Sequence, residues 1–125
     1  MNKYYSNLLL MKEKKQKNAS DFKKKKKQKL DDIVKDLANE IKTIKKVIIF
    51  GSFIKEDSYF PRDVDIYIEN LEAERYFEVR RRLEDELEID VDLHTQGDSQ
   101  SFIKRIKERG EVIYERADCY WISSP

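Results

Sequence analysis

The sequence predicts an α/β (α+β) fold, a small mixed sheet flanked by helices, and three observations carry that prediction. Apolar residues recur at spacings of three and four over residues 30–44 and again over residues 76–87. Short apolar or alternating runs at 47–50, 63–69 and 89–95 have the length and pattern of strands. Gly51, Pro61 and Gly110 punctuate the joins between these segments.

Taken in order, Leu30, Ile33, Val34, Leu37, Ile41 and Ile44 put one apolar stripe on a first helix, with Asp31 and Asp32 suited to its first turn and Lys45 and Lys46 to its last. Val47, Ile48, Ile49 and Phe50 form an unbroken apolar run, the pattern of a buried strand, which Gly51 ends. After a loop containing Pro61, Val64, Ile66 and Ile68 alternate with Asp63, Asp65 and Tyr67, predicting a strand with one core face and one functional face. Tyr76, Val79, Leu83 and Leu87 stripe a second helix over about residues 72–88. The run 89–95 alternates again, with Ile89, Val91 and Leu93 opposite Asp90, Asp92 and His94. Asp98 or Ser99 can cap a third helix that packs by Phe102, Ile103 and Ile106 and stops at Gly110. Residues 112–114 can add an edge strand. The order predicts a sheet with helices mainly on one face.

The 125 residues suit one compact domain, expected over 30–116 between a lysine-rich N-terminal extension (1–29) and a C-terminal tail (117–125). The tail shows no periodicity, and Trp121 is expected to dock on the body or on a partner. Residues 1–30 carry eleven lysines against Glu13 and Asp21, a surplus of nine; with a net charge of +1, the remainder sums to −8. A basic arm thus precedes an acidic body. It either is a solvated leader, disordered or helical, or binds nucleic acid or an acidic surface. With no arginine and only Tyr4, Tyr5 and Phe22 as aromatics, it offers little for base stacking or bidentate phosphate contacts. No apolar run approaches the roughly 20 residues of a membrane helix, and Leu8–Leu10 are too short a stretch for a signal peptide. Cys119 is the only cysteine, so intrachain disulfides and thiolate zinc clusters are excluded and a cytoplasmic setting is expected.

The chemistry concentrates in three aspartates. Asp63 and Asp65 stand two apart on a strand, so both carboxylates project from one face, about 6–7 Å apart. Bare anions side by side repel, and aspartate is disfavoured in strands; a divalent cation removes the penalty. Magnesium takes one or two carboxylates and completes its octahedron with water and substrate phosphate. Asp92, on a strand of the same alternation, can supply a third carboxylate, enough for two metals. Gly51 and Ser52 follow a buried strand, where glycine lets the backbone approach a phosphate and the serine hydroxyl can bond its oxygens. Asp90 and His94 share the Asp92 face as weaker candidates, Glu69 reads as a solvated strand end, and Arg80–Arg82 as the outer face of a helix.

Gly51-Ser52, ten intervening residues, Asp63-Val64-Asp65 and the later Val91-Asp92-Leu93 strand resemble the minimal nucleotidyltransferase domains of the DNA polymerase β-like superfamily. Arg109-Gly110-Glu111 through Ile113-Tyr114-Glu115 resembles that family's usual ending, so the resemblance covers about residues 30–116. It implies the polymerase β-like nucleotidyltransferase fold and Mg2+-dependent transfer of AMP from ATP to a hydroxyl. It further implies catalytic, metal-holding roles for Asp63, Asp65 and Asp92 and phosphate binding by Gly51 and Ser52. Two departures stand out. Phe53-Ile54-Lys55-Glu56 replaces the arginine, small residues and glycine that often follow Gly-Ser, and Arg62 replaces a serine before the first aspartate. Lys55 and Arg62 can still reach the triphosphate, while the missing glycine bears on loop mobility and turnover.

Minimal members are similar to antitoxins paired with HEPN-type ribonuclease toxins, where a tyrosine of the partner accepts AMP. That implies a protein adenylyltransferase antitoxin, with ATP and a HEPN-type toxin as partners and no room for an acceptor domain of its own. A non-catalytic nucleotide-binding antitoxin and a nucleic-acid-associated protein using the lysine-rich arm remain alternatives, and homo-oligomerisation stays open.

Overall fold

The computed structural model describes residues 3–55 and 61–117, with residues 3–20 described through their backbone alone. Trp121, Cys119 and the side chains of Leu8, Leu9 and Leu10 lie outside the described residues. No glycine or proline interrupts residues 1–50, and lysine is a good helix former. Accordingly α1 (Lys3–Glu40) is one helix of 38 residues, about 57 Å long at 1.5 Å per residue. It begins well before Leu30 and ends before Lys45, so Asp31 and Asp32 are interior rather than first-turn residues. Buried Ile44 reaches the core from the turn beyond the helix. Arg116 satisfies that helix end: its guanidinium donates to the carbonyls of Ala38 at 2.7 Å and Ile44 at 3.0 Å.

Four strands follow, β1 (Lys46–Phe50), β2 (Asp63–Glu69), β3 (Asp90–Thr95) and β4 (Glu111–Glu115), with α2 (Tyr76–Leu87) and α3 (Gln100–Arg109) between them. The sheet order is β3-β2-β1-β4. β1 runs antiparallel to both neighbours, and β2 and β3 are parallel, joined by the α2 crossover. α1 and α2 pack on one face, where Leu30, Val34, Leu37, Val79, Leu83 and Leu87 meet Val47, Ile49, Val64, Ile66 and Ile68. α3 covers part of the other face, closing a smaller core of Ile48, Tyr67, Ile103 and Ile106. Interior β1 is covered on both faces, which explains its unbroken apolar run.

Three details differ from the sequence pattern. Alternation groups Tyr67 with Asp63 and Asp65, yet Tyr67 is 1% exposed beneath α3, so only the aspartate end of that face is open. The second helix is shorter than expected, because residues 73–75 form a 3-10 turn before it. Glu69 is no free strand end: its carboxylate pairs with Lys107 at 2.7 Å. Within the arginine run only Arg81 is exposed; Arg80 and Arg82 are half-buried, and Arg82 reaches across to Glu40 of α1 at 2.6 Å.

Side chains cap the outer edge of β3. Tyr76 donates its hydroxyl to the Leu93 carbonyl at 2.8 Å, and Glu84 accepts the Val91 N–H at 3.2 Å. That removes two sites for stray strand pairing. Ser99 caps α3 by accepting the Phe102 N–H, while Asp98 turns to His94 instead. Gly110 is required by packing: a Cβ there would lie 2.3 Å from Ile48 Cγ2 and 2.7 Å from the Ile106 carbonyl oxygen. The lysines just before Leu30 touch the body. Lys23 donates to the Lys55 carbonyl at 2.6 Å, Lys26 to the Leu87 carbonyl, and Lys27 pairs with Glu111.

Candidate active site

Strand register brings the predicted carboxylates together. Phe50, Asp65 and Asp92 stand abreast on β1, β2 and β3, and Asp63 stands abreast of Asp90. Neighbouring strands lie about 4.8 Å apart, so four carboxylates share a patch two residues deep on the face that α3 leaves open. Asp63 and Asp65 are half-buried, whereas Asp90 and Asp92 are exposed at the rim.

Gly51 closes the patch on the β1 side. Its φ of +76° is a left-handed conformation that glycine adopts freely. A Cβ at this position would fall 2.1 Å from Asp65 Oδ2 and 3.1 Å from its Cγ. Only a residue without a side chain lets the backbone touch the carboxylate here. Beyond it, residues Gly51–Ile54 make a 3-10 turn held by buried Phe53, and Ser52 is exposed at the lip.

The electrostatics follow from this crowding. The Asp65 carboxyl is pushed up from 3.8 to about 6, first by burial, then by the negative charges of Asp92 and Asp63 and by a hydrogen bond with Asp92. His94 is near enough to pull it partly back. Near neutral pH the cluster therefore carries more negative charge than its surroundings neutralise. The donor set fits a hard divalent cation on that ground, since a cation would offset the burial and the neighbouring charges that raise Asp65. Among the described residues no three His, Cys, Asp or Glu side chains form a ready metal cage. Magnesium does not need one, as it takes few carboxylates and fills its remaining positions with water and phosphate oxygen.

Residues 28–118 match the Polymerase beta, Nucleotidyltransferase family. The chain belongs to that family. No curated protein matches it in sequence at a significant level. Solved structures share its fold. A tri-AMPylated Shewanella oneidensis HEPN toxin in complex with MNT antitoxin aligns with a TM-score of 0.58 at 21% identity, covering 73% of each chain. A toxin–antitoxin structure with AMP-PNP aligns at 0.60 and 18% identity over 74% of this chain and 78% of the other. The toxin–antitoxin MntA-HepT aligns at 0.56 and 20% identity over 72% and 73%.

In this nucleotidyltransferase-family chain, Lys55 and Arg62 flank residues 56–60, which lie outside the described residues. Both side chains are exposed and form no ion pair with another described residue. Arg62 directly precedes Asp63 on the chain, and Lys55 follows the 3-10 turn. The structure thus brings Gly51, Asp63, Asp65 and Asp92 together, with Ser52 at the lip. Sequence reasoning leaves Phe50 and Phe102 out of the site and ranks His94 only as a weaker candidate. The apolar run assigns Phe50 to a buried strand, and helical spacing assigns Phe102 to packing. Their ring contacts with His94 depend on the β1–β2–β3 register and on where α3 lands, for which no local pattern gives a signal.

Proposed function

We propose that the chain binds Mg2+–ATP at Gly51, Ser52, Asp63 and Asp65 and transfers AMP to a hydroxyl of a partner protein, as the antitoxin of a toxin–antitoxin pair. One observation carries this: the Gly51 backbone abuts the Asp65 carboxylate, so a phosphate seated on the Gly51–Ser52 turn lies beside any cation held by Asp65. The tri-AMPylated toxin among its structural neighbours supports AMP as the transferred group and a protein as the acceptor.

Each residue has a role that its position permits. Gly51 and exposed Ser52 offer a backbone approach and a hydroxyl to the β- and γ-phosphate oxygens. Asp63 and Asp65 would hold the magnesium, which when bound neutralises phosphate charge and activates the acceptor oxygen. The acceptor oxygen bonds to the α-phosphorus, the bond to the β-phosphate bridge oxygen breaks, and pyrophosphate leaves. Asp92, exposed beside Asp65, would take the proton released by the acceptor. Lys55 and Arg62 can screen the triphosphate from the rim. A rim open at Asp92 suits an acceptor presented by a docked protein, because a small alcohol would need walls to hold it in line.

One feature favours binding without turnover as a second reading. Phe53 is buried in the main core and Lys23 holds the Lys55 carbonyl, so the turn after Gly-Ser is pinned. Calorimetry should show Mg2+–ATP binding that collapses in the folded Asp63→Asn/Asp65→Asn variant. Intact-mass spectrometry of the neighbouring gene's product, incubated with this protein, ATP and magnesium, should show added AMP units, absent with Asp65→Asn. A tightly bound but unmodified partner would establish the binding-only reading; unchanged ATP affinity in the double variant would remove the site.

A further inference from the structure

Three aromatic rings border the carboxylate patch: Phe50 at the end of β1, His94 on β3 and Phe102 in the first turn of α3. Their centroids are 5.3 Å apart for Phe50–His94, 5.2 Å for His94–Phe102 and 5.9 Å for Phe50–Phe102, at tilted to edge-on angles. Asp98 Oδ2 lies 2.8 Å from His94 Nδ1 and fixes the imidazole in place. The small core under α3 is already closed by Ile48, Tyr67, Ile103 and Ile106, each at most 6% exposed. The three rings are half-buried at its rim, with Phe50 and Phe102 packed against it. What the rings leave open is a partial aromatic surface beside the carboxylate patch.

Its position is explained by what sits next to it. Phe50 immediately precedes Gly51 and stands abreast of Asp65, while His94 lies two residues beyond Asp92, about 7 Å along β3. We infer that Phe50, His94 and Phe102 form a stacking shelf for the base of the bound nucleotide, and that the shelf makes the site prefer purine over pyrimidine nucleoside triphosphates. A triphosphate seated on Gly51–Ser52 directs its sugar and base either into solvent or onto this shelf. Stacking on aromatic faces favours the shelf, and the larger purine ring system covers more of it. This inference rests on the phosphate and metal roles proposed above.

The test compares Mg2+–ATP, Mg2+–CTP and Mg2+–tripolyphosphate by calorimetry on the full chain and on Phe102→Leu and Phe102→Trp. Leucine keeps an apolar side chain of moderate size and removes the π face; tryptophan enlarges it. The native chain should bind ATP about fivefold more tightly than CTP, a modest ratio because cytosine also offers a face to the shelf. Phe102→Leu should lose that ratio while binding tripolyphosphate normally, and Phe102→Trp should keep or raise it. Equal affinity for ATP and CTP in the native chain, or an unchanged ratio in Phe102→Leu, would overturn the shelf and leave the phosphate site standing. Failure of the native chain to bind both tripolyphosphate and ATP would instead overturn the phosphate site, and the shelf with it.

Discussion

Replacing Asp65 by asparagine should stabilise the metal-free protein while removing its ligand. The Asp65 carboxyl rises from 3.8 to about 6 through burial and the charges of Asp92 and Asp63. Its folded pKa is above its unfolded one, so its contribution to stability is full below the unfolded pKa and is lost as pH rises through about 6. A shift of about two units corresponds to about 3 kcal/mol for a shielded group, and water at this partly open carboxyl reduces that to about 1 kcal/mol. Asparagine keeps the shape, carries no charge, and can donate its amide to Asp92 as the protonated carboxyl does. In EDTA at about pH 8, Asp65→Asn should therefore melt higher than the native chain, by roughly 3–5 °C for a domain of this size. At about pH 3 the two should converge, because native Asp65 is then protonated in both the folded and the unfolded state. Saturating Mg2+–ATP should reverse the order by stabilising only the native chain. Thermal melts followed by circular dichroism across this pH range, with and without ligand, measure all three. A variant less stable than the native chain in EDTA at about pH 8, or a difference independent of pH, would refute the account of a repulsive cluster awaiting a cation.

Three further outcomes are expected. Gly51→Ala should fold but lose about 1–2 kcal/mol to its left-handed φ, and its Cβ should displace the Asp65 carboxylate; calorimetry should show Mg2+–ATP binding abolished. Arg116→Ala should cost about 2 kcal/mol in urea denaturation by stranding the Ala38 and Ile44 carbonyls, with part recovered in Arg116→Lys. A chain starting at Gln28 should still melt cooperatively within a few degrees of the full chain. Among the described side chains deep packing begins at Leu30, and the polar interactions of Lys23, Lys26 and Lys27 with the body are exposed or half-exposed, each worth under about 1 kcal/mol. Absence of a cooperative transition would show that the earlier helix belongs to the folding unit.

Local pattern was enough to reveal the fold class and the strands, and to single out the candidate carboxylates. Side-chain alternation is a property of two consecutive residues, so the sequence alone placed Asp63 and Asp65 on one face of β2 and Asp92 on the open face of β3. The Gly51-Ser52 turn was equally legible, because a glycine ending an apolar run marks a break wherever the chain goes next. Helix ends were less so. Nothing between Met1 and Lys29 breaks a helix, but periodicity reports only the stripe that becomes buried, and among the described side chains that stripe starts at Leu30. The tertiary structure decided which candidates meet. The parallel β2–β3 register set Asp92 beside Asp65 and Asp90 beside Asp63, a choice made by the α2 crossover and not by either strand. It also placed α3 over one half of the sheet, which buried Tyr67 although its alternation matches that of the aspartates. The same placement gathered Phe50, His94 and Phe102 from three separate elements. Juxtapositions of that kind depend on how distant segments pack, and spacing along a single chain does not encode them.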